Sequence, residues 1–194
     1  MIKDPAINQA LQALIDGNKR FAAMKPAHPN QDKGRRDEVK GGQKPFAVIV
    51  GCSDSRIPPE ILFDQGIGDL FVIRLAGNIV DDTALGSIEY AADHLGTRLI
   101  VVLGHSKCGA VTATAQGGEA HGHIGRIVQL IIPALERAKG KPGDLVDNAI
   151  RENALLVTAA IASSKPILSK MVEKGKIAVV PLYYDIDTGV VELL

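Results

Sequence analysis

Membrane spans, polyanion-binding surfaces and secreted disulfide scaffolds each need something this 194-residue chain has little of. No apolar stretch reaches the roughly 18 residues that a membrane-crossing helix requires. Neither sign of charge is in excess: 22 Lys and Arg stand against 22 Asp and Glu, so nothing in the balance attracts nucleic acid or an anionic membrane surface. The N-terminus lacks a basic segment followed by a hydrophobic one, and the chain reads as cytoplasmic. Only two cysteines are present, Cys52 and Cys108, and in a reducing compartment a disulfide between them is not expected. Internal repeats and low-complexity segments are absent as well.

What is present is a chain that is 46% apolar, enough for the core of one domain spanning residues 1–194. Residues 6–24 carry Ile7, Leu11, Leu14, Ile15 and Phe21 at amphipathic helical spacing. A polar, Pro- and Gly-containing connection, residues 25–44, separates that helix from the first strand, so residues 1–43 form an N-terminal arm that packs back on its own core or onto a partner. In the core, residues 44–194, strands are predicted at 44–51, 69–75 and 98–103. Helices are expected from Pro58 to Phe63 and over 82–94, 107–116, 123–139 and 144–174. This alternation predicts an α/β fold with a mostly parallel central sheet and flanking helices. The segments 176–185 and 190–194 bracket the turn sequence Ile186-Asp187-Thr188-Gly189, which predicts an antiparallel C-terminal edge strand.

Each cysteine sits in a polar cluster directly after an apolar, β-branched run. Cys52-Ser53-Asp54-Ser55-Arg56 follows Phe46 to Gly51, and His105-Ser106-Lys107-Cys108 follows Leu99 to Gly104. Zinc takes thiolate and imidazole in tetrahedral geometry, and a catalytic site typically has three protein ligands with the fourth position left to water. Cys52, His105 and Cys108 make such a set, and ligands of open α/β sheets collect at the carboxyl ends of strands, where all three lie. The set suits zinc best, though cobalt or iron could occupy it. A plainer reading makes both cysteines small buried hydrophobes at sheet ends. The segment from Gly104 to Gly109 lacks the Gly-Lys-Ser/Thr ending of a phosphate-binding loop, which excludes an ATP or GTP site.

In order and spacing, Cys52-Ser-Asp-Ser-Arg56, Arg74-Leu-Ala-Gly-Asn78 and Gly104-His-Ser-Lys-Cys-Gly-Ala110 resemble the motifs of the β-class carbonic anhydrases. The resemblance implies reversible hydration of carbon dioxide to bicarbonate and a proton by a zinc-bound hydroxide, with zinc on Cys52, His105 and Cys108. Asp54 pairs with Arg56 two residues on, which keeps it off the metal and able to orient the hydroxide; unpaired, it could become a fourth ligand and close the site. By position in the motifs, Gln43 matches an amide that reaches the site from the neighbouring subunit. Phe71 and Tyr90 match aromatics that line the pocket, and Ala76 matches a small apolar position. Gly109 begins a helix whose free N–H groups could receive bicarbonate. The resemblance further implies N-terminal helices that embrace a second subunit, in a homodimer or tetramer.

A subgroup of that family is inhibited by bicarbonate at a site that uses a tryptophan shortly before the first cysteine. This chain has no tryptophan, and Ile49 stands in that place, so Asp54 is expected to stay paired with Arg56. Hydrolysis of carbonyl sulfide or carbon disulfide on the same scaffold, and a noncatalytic zinc protein, are the alternative functions. Of the remaining histidines, His121 and His123 fall in a Gly-rich stretch that reads as a solvated loop, and His28 and His94 carry no assigned role.

Overall fold

The computed structural model describes residues 4–117 and 119–194. Helix α1 (Pro5–Ala22) is followed by a short α2 (Lys33–Val39), then β1 (Ala47–Gly51), α3 (Pro59–Leu62) and β2 (Leu70–Arg74). Next come α4 (Asp82–Glu89), β3 (Leu99–His105), α5 (Gly109–Gln116), α6 (Ile124–Ala138), α7 (Leu145–Ser163), α8 (Leu168–Glu173), β4 (Ala178–Tyr184) and β5 (Val191–Leu193). The five strands form one sheet in the order β2-β1-β3-β4-β5, parallel except for the antiparallel pair β4 and β5. The α/β class and the antiparallel C-terminal edge agree with the reading of the sequence.

β1 and β3 read as unbroken apolar runs because both are buried on both faces, as inner strands of a parallel sheet must be. Their alternate residues divide between two clusters. Ala47, Ile49, Leu99, Val101 and Leu103 pack with Ile7 and Leu14 of α1. Val48, Val50, Ile100 and Val102 pack with Ile88 of α4 and with Ala154, Val157 and Ile161 of α7. β2, at the sheet edge, is only partly buried along its whole length.

α1 lies on its own chain's core. Asp4 caps it, accepting from the N–H groups of Ala6 and Ile7, and Pro5 occupies the first turn, where a missing N–H costs nothing. At its other end Asn18, 3% exposed, donates to the carbonyls of Leu62 and Gly189 and accepts from the Val191 N–H at 2.8 Å. The approach to α3 requires glycine at position 17, since a Cβ there would meet the Phe63 carbonyl oxygen at 1.8 Å. One buried amide thus ties α1 to α3 and to the β4–β5 hairpin.

Three expectations need correction. The connection 25–44 contains a helix, α2, capped by Asp32, and it is strapped to the core rather than merely solvated. Buried Asp64 accepts from Arg20 and from the N–H groups of Ala27 and His28, while Asp69 accepts from Asn30 and Arg35. The single helix expected over 144–174 is two helices, α7 and α8. Pro166 has no N–H to donate and drives Lys165 away from helical geometry, so the chain breaks there. The helix expected over 82–94 changes at Tyr90 into a π-helical turn, Tyr90–His94.

Replacing Asn18 by Ala would leave buried backbone groups at both attached segments unpaired. The Asn18→Ala protein is expected to lose about 1–3 kcal/mol of unfolding free energy, read by denaturant titration. An unchanged midpoint would mean that α1 is not held by this residue.

Candidate metal centre

The parallel register sets Gly51 opposite Leu103, so the residues after β1 lie level with the end of β3. Cys52 is the first residue beyond β1, His105 is the last residue of β3, and Cys108 stands immediately before α5. The Cys52 and Cys108 sulfurs and an imidazole nitrogen of His105 all lie within 4.8 Å of one another, and all three residues are buried. Among the described residues, this is the one group of three or more potential ligands brought so close.

Two observations show that the group fits a metal ion. The His105 Nδ1 lies 2.9 Å from the Ser106 carbonyl oxygen, the partner that holds an imidazole in the tautomer whose Nε2 is a free ligand. His105 Nε2 is then buried with no hydrogen-bond partner, a condition shared among the described residues only by Asn78 Nδ2. A buried polar nitrogen left unpaired is unfavourable unless something binds it. Two thiols and one imidazole are the donor set that zinc prefers.

Without a metal the two thiols compete. The neighbouring Cys108 thiol makes the Cys52 thiol more acidic than an ordinary one, helped by the Gly77 N–H at 3.2 Å. The same contact, together with burial, pushes the Cys108 thiol up. The two sulfurs therefore differ: Cys52 is the readier thiolate, and Cys108 holds its proton more tightly.

Asp54 does not join the cluster. Arg56 grips its carboxylate with both arms, Nε to Oδ1 at 3.0 Å and a terminal nitrogen to Oδ2 at 2.7 Å, and the Arg56 N–H adds a third bond at 2.9 Å. That grip holds the Asp54 carboxyl down to about 2. Arg56 is in turn fixed by the Lys107 carbonyl at 3.1 Å, between the two ligands of the second motif. Arg74, at the end of β2, donates to the carbonyls of Cys52 and Asp54 and clamps the backbone of the first motif.

The other residues singled out by the sequence fall into two groups. Ala76 and Gly109 lie next to the cluster, the first beside Gly77 and the second directly after Cys108. Gln43, Phe71 and Tyr90 do not reach it within this chain. Gln43 is exposed four residues before β1, at the opposite end of the sheet. Phe71 is level with Val48 on the edge strand and packs with the core cluster opposite the one holding Cys52, its ring 6.3 Å from that of Tyr90. His94 meets the Tyr90 ring edge-on at 5.3 Å, and His121 and His123 are exposed.

Sequence reasoning missed the contacts that steady the ligand loops. Ser106 Oγ accepts from the Ile186 N–H at 2.9 Å, and Lys107 Nζ pairs with Asp187 at 2.5 Å, so the β4–β5 turn supports the second motif. Asn153 of α7 donates to the Gly77 carbonyl at 2.7 Å. An asparagine on the apolar face of a helix, among Ala149, Ile150, Ala154 and Val157, is a signal that could have found it.

Comparison with known proteins agrees with this site. The sequence profile of the carbonic anhydrases matches residues 47–191. Carbonic anhydrase 2 of Mycobacterium tuberculosis is 40% identical over 184 residues, 93% of this chain and 89% of that protein. The carbonic anhydrase of Mycolicibacterium smegmatis is 40% identical over 188 residues, 95% of this chain and 91% of that protein. The β-carbonic anhydrase of Coccomyxa, solved in complex with acetazolamide, superposes with a TM-score of 0.76 at 27% identity, covering 95% of this chain and 86% of that one. A tetrameric β-carbonic anhydrase from Sordaria macrospora shares the fold, with a TM-score of 0.76 at 24% identity over 96% of this chain and 97% of that one. With fold, ligand cluster and sequence in agreement, the chain belongs to the β-carbonic anhydrase family of zinc enzymes that hydrate carbon dioxide.

Proposed function

We propose that Cys52, His105 and Cys108 hold the zinc ion, and that the Asp54–Arg56 pair leaves its fourth position to water, for reversible hydration of carbon dioxide. The orphaned, buried Nε2 of His105 between two thiols is the observation that carries this reading. Zinc bound there would supply Lewis acidity, making water a nucleophile. The residues do the rest. Asp54, held ionised and turned aside by Arg56, accepts a hydrogen bond from the attacking O–H and so directs a lone pair at the carbon of carbon dioxide. Gly109, at the start of α5, offers its N–H to the single negative charge of the bicarbonate product.

The positions of Gln43, Phe71 and Tyr90 support a homodimer as the smallest complete unit. β2 is an edge strand of Leu70, Phe71, Val72 and Ile73 with half-buried side chains, a surface suited to pairing with another strand. A two-fold pairing of β2 edges runs the strands antiparallel and brings the N-terminal end of one sheet beside the carboxyl end of the other. Gln43, Phe71 and Tyr90 then serve the partner's metal centre. Two thiols that must stay reduced fit a reducing compartment such as the cytoplasm.

Three outcomes are expected. Zinc uptake by metal-free protein at pH 7 releases fewer protons per chain than two ordinary thiols would, because the Cys52 thiol is already drawn down, when followed with an indicator in weak buffer; release equal to that of two ordinary thiols would mean that Cys52 is not acidified. The Asp54→Asn protein binds zinc in full yet loses about 100-fold or more in carbon dioxide hydration by stopped flow, and normal turnover would remove Asp54 from the mechanism. Light scattering at micromolar concentration finds a dimer or larger, and a fully active monomer would refute the shared site.

A further inference from the structure

We propose that Asn153, on α7, is a positioning residue for the metal centre: it holds the turn Ala76–Asn78 so that the Gly77 N–H is directed onto the Cys52 sulfur. The inference rests on the reading of Cys52 as a zinc ligand. Gly77 has the unusual backbone that this requires, with φ 72° and ψ 21°, and Asn78 after it is also left-handed at φ 43°. Glycine and asparagine are the residues that tolerate this backbone, but glycine has the most conformational freedom to lose, so holding the turn in one geometry calls for ties to the fold. The turn is closed on one side by the Asn78 N–H to the Leu75 carbonyl at 2.9 Å. On the other side, the Asn153 amide donates to the Gly77 carbonyl at 2.7 Å.

No larger residue could carry out this task at position 77. A Cβ there would meet Ile131 Cδ1 of α6 at 2.7 Å and Ala110 Cβ of α5 at 3.3 Å. Asn153 is 1% exposed, and its neighbours one turn away on the helix include buried Ala149, Ile150 and Val157. A buried amide in such surroundings is costly unless its hydrogen bonds are made, and here it is spent on the turn that faces the sulfur. α7 itself is packed against β3 and α6, so the geometry of the turn is referred to the rigid part of the fold.

The chemical consequence follows from electron donation. A hydrogen bond to a ligating thiolate draws charge from the sulfur, so the thiolate neutralises less of the metal's charge. Arg74 and Arg56 fix the backbone and the carboxylate of the first motif, but neither touches a sulfur in the structure. The Gly77 N–H does, and Asn153 is what aims it.

Cobalt-substituted protein gives a readout that a purely structural tie would not move. In Asn153→Ala the thiolate-to-cobalt charge-transfer absorption is expected to shift to longer wavelength, with zinc affinity about 10-fold weaker or more. Asn153→Ser, which retains a donor on a shorter stem, is expected to shift less. Should Asn153→Ala fail to fold, the unaltered protein loaded with cadmium-113 still decides. A scalar coupling between the Gly77 amide and cadmium, carried through the N–H···Sγ bond, is expected, and its absence overturns the inference. A charge-transfer band present in the wild type and unmoved in both variants overturns the inference alone. Absence of the band in the wild type overturns the ligand reading, and the inference with it.

Discussion

The parallel pairing of β1 with β3 in one register is the constraint from which the site follows. With Gly51 opposite Leu103, the chain leaving β1 turns into the space that β3 reaches two residues later, and Cys52 meets His105 there. A slip of one residue would exchange the two faces of β1, moving Ile49 and Val50 into each other's cluster and carrying Cys52 away from His105. Burial of both strands on both faces makes that slip prohibitive. Core packing and ligand placement are therefore one requirement.

Around that convergence the molecule arranges charge with care. Two thiolates offset the two positive charges of zinc, so a bound water is acidified less than in a site of three neutral imidazoles, where its pKa is about 7. Activity is expected to rise above neutral pH. Asp54 is kept from adding a further negative ligand by Arg56, and Arg56 is kept in place by the Lys107 carbonyl from the second motif. The two ligand loops thus brace each other. The β4–β5 turn braces the second loop through Ser106 and Asp187, and Asn18 of α1 binds the same hairpin at Gly189 and Val191.

Much of this was legible in the sequence, for identifiable reasons. Cys52, His105 and Cys108 stood out because each followed the abrupt end of a β-branched run, and that pattern marks the carboxyl end of a buried strand. The Asp54–Arg56 pair needed only a spacing of two residues. Gln43, Phe71 and Tyr90 could be named only by resemblance, since one chain does not bring them to the cluster. Asn153 stayed hidden because an asparagine in a 19-residue helix looks like an ordinary surface residue until its neighbours are seen to be buried. The break at Pro166 is legible in its chemistry, since proline has no N–H to donate and disfavours helical backbone in the residue before it. α2 depends on Asp69, more than thirty residues further along, which no local pattern could reveal.

The central claim is that this buried Cys, His, Cys set, with Asp54 held aside, is a working zinc centre for carbon dioxide. Stopped-flow hydration at about pH 8.5, on protein whose zinc content has been quantified, tests it most directly, because the reactive form of bound water should prevail there if the thiolates raise its pKa. The account predicts rapid turnover in proportion to zinc content. Fully zinc-loaded protein that hydrates no carbon dioxide would contradict it.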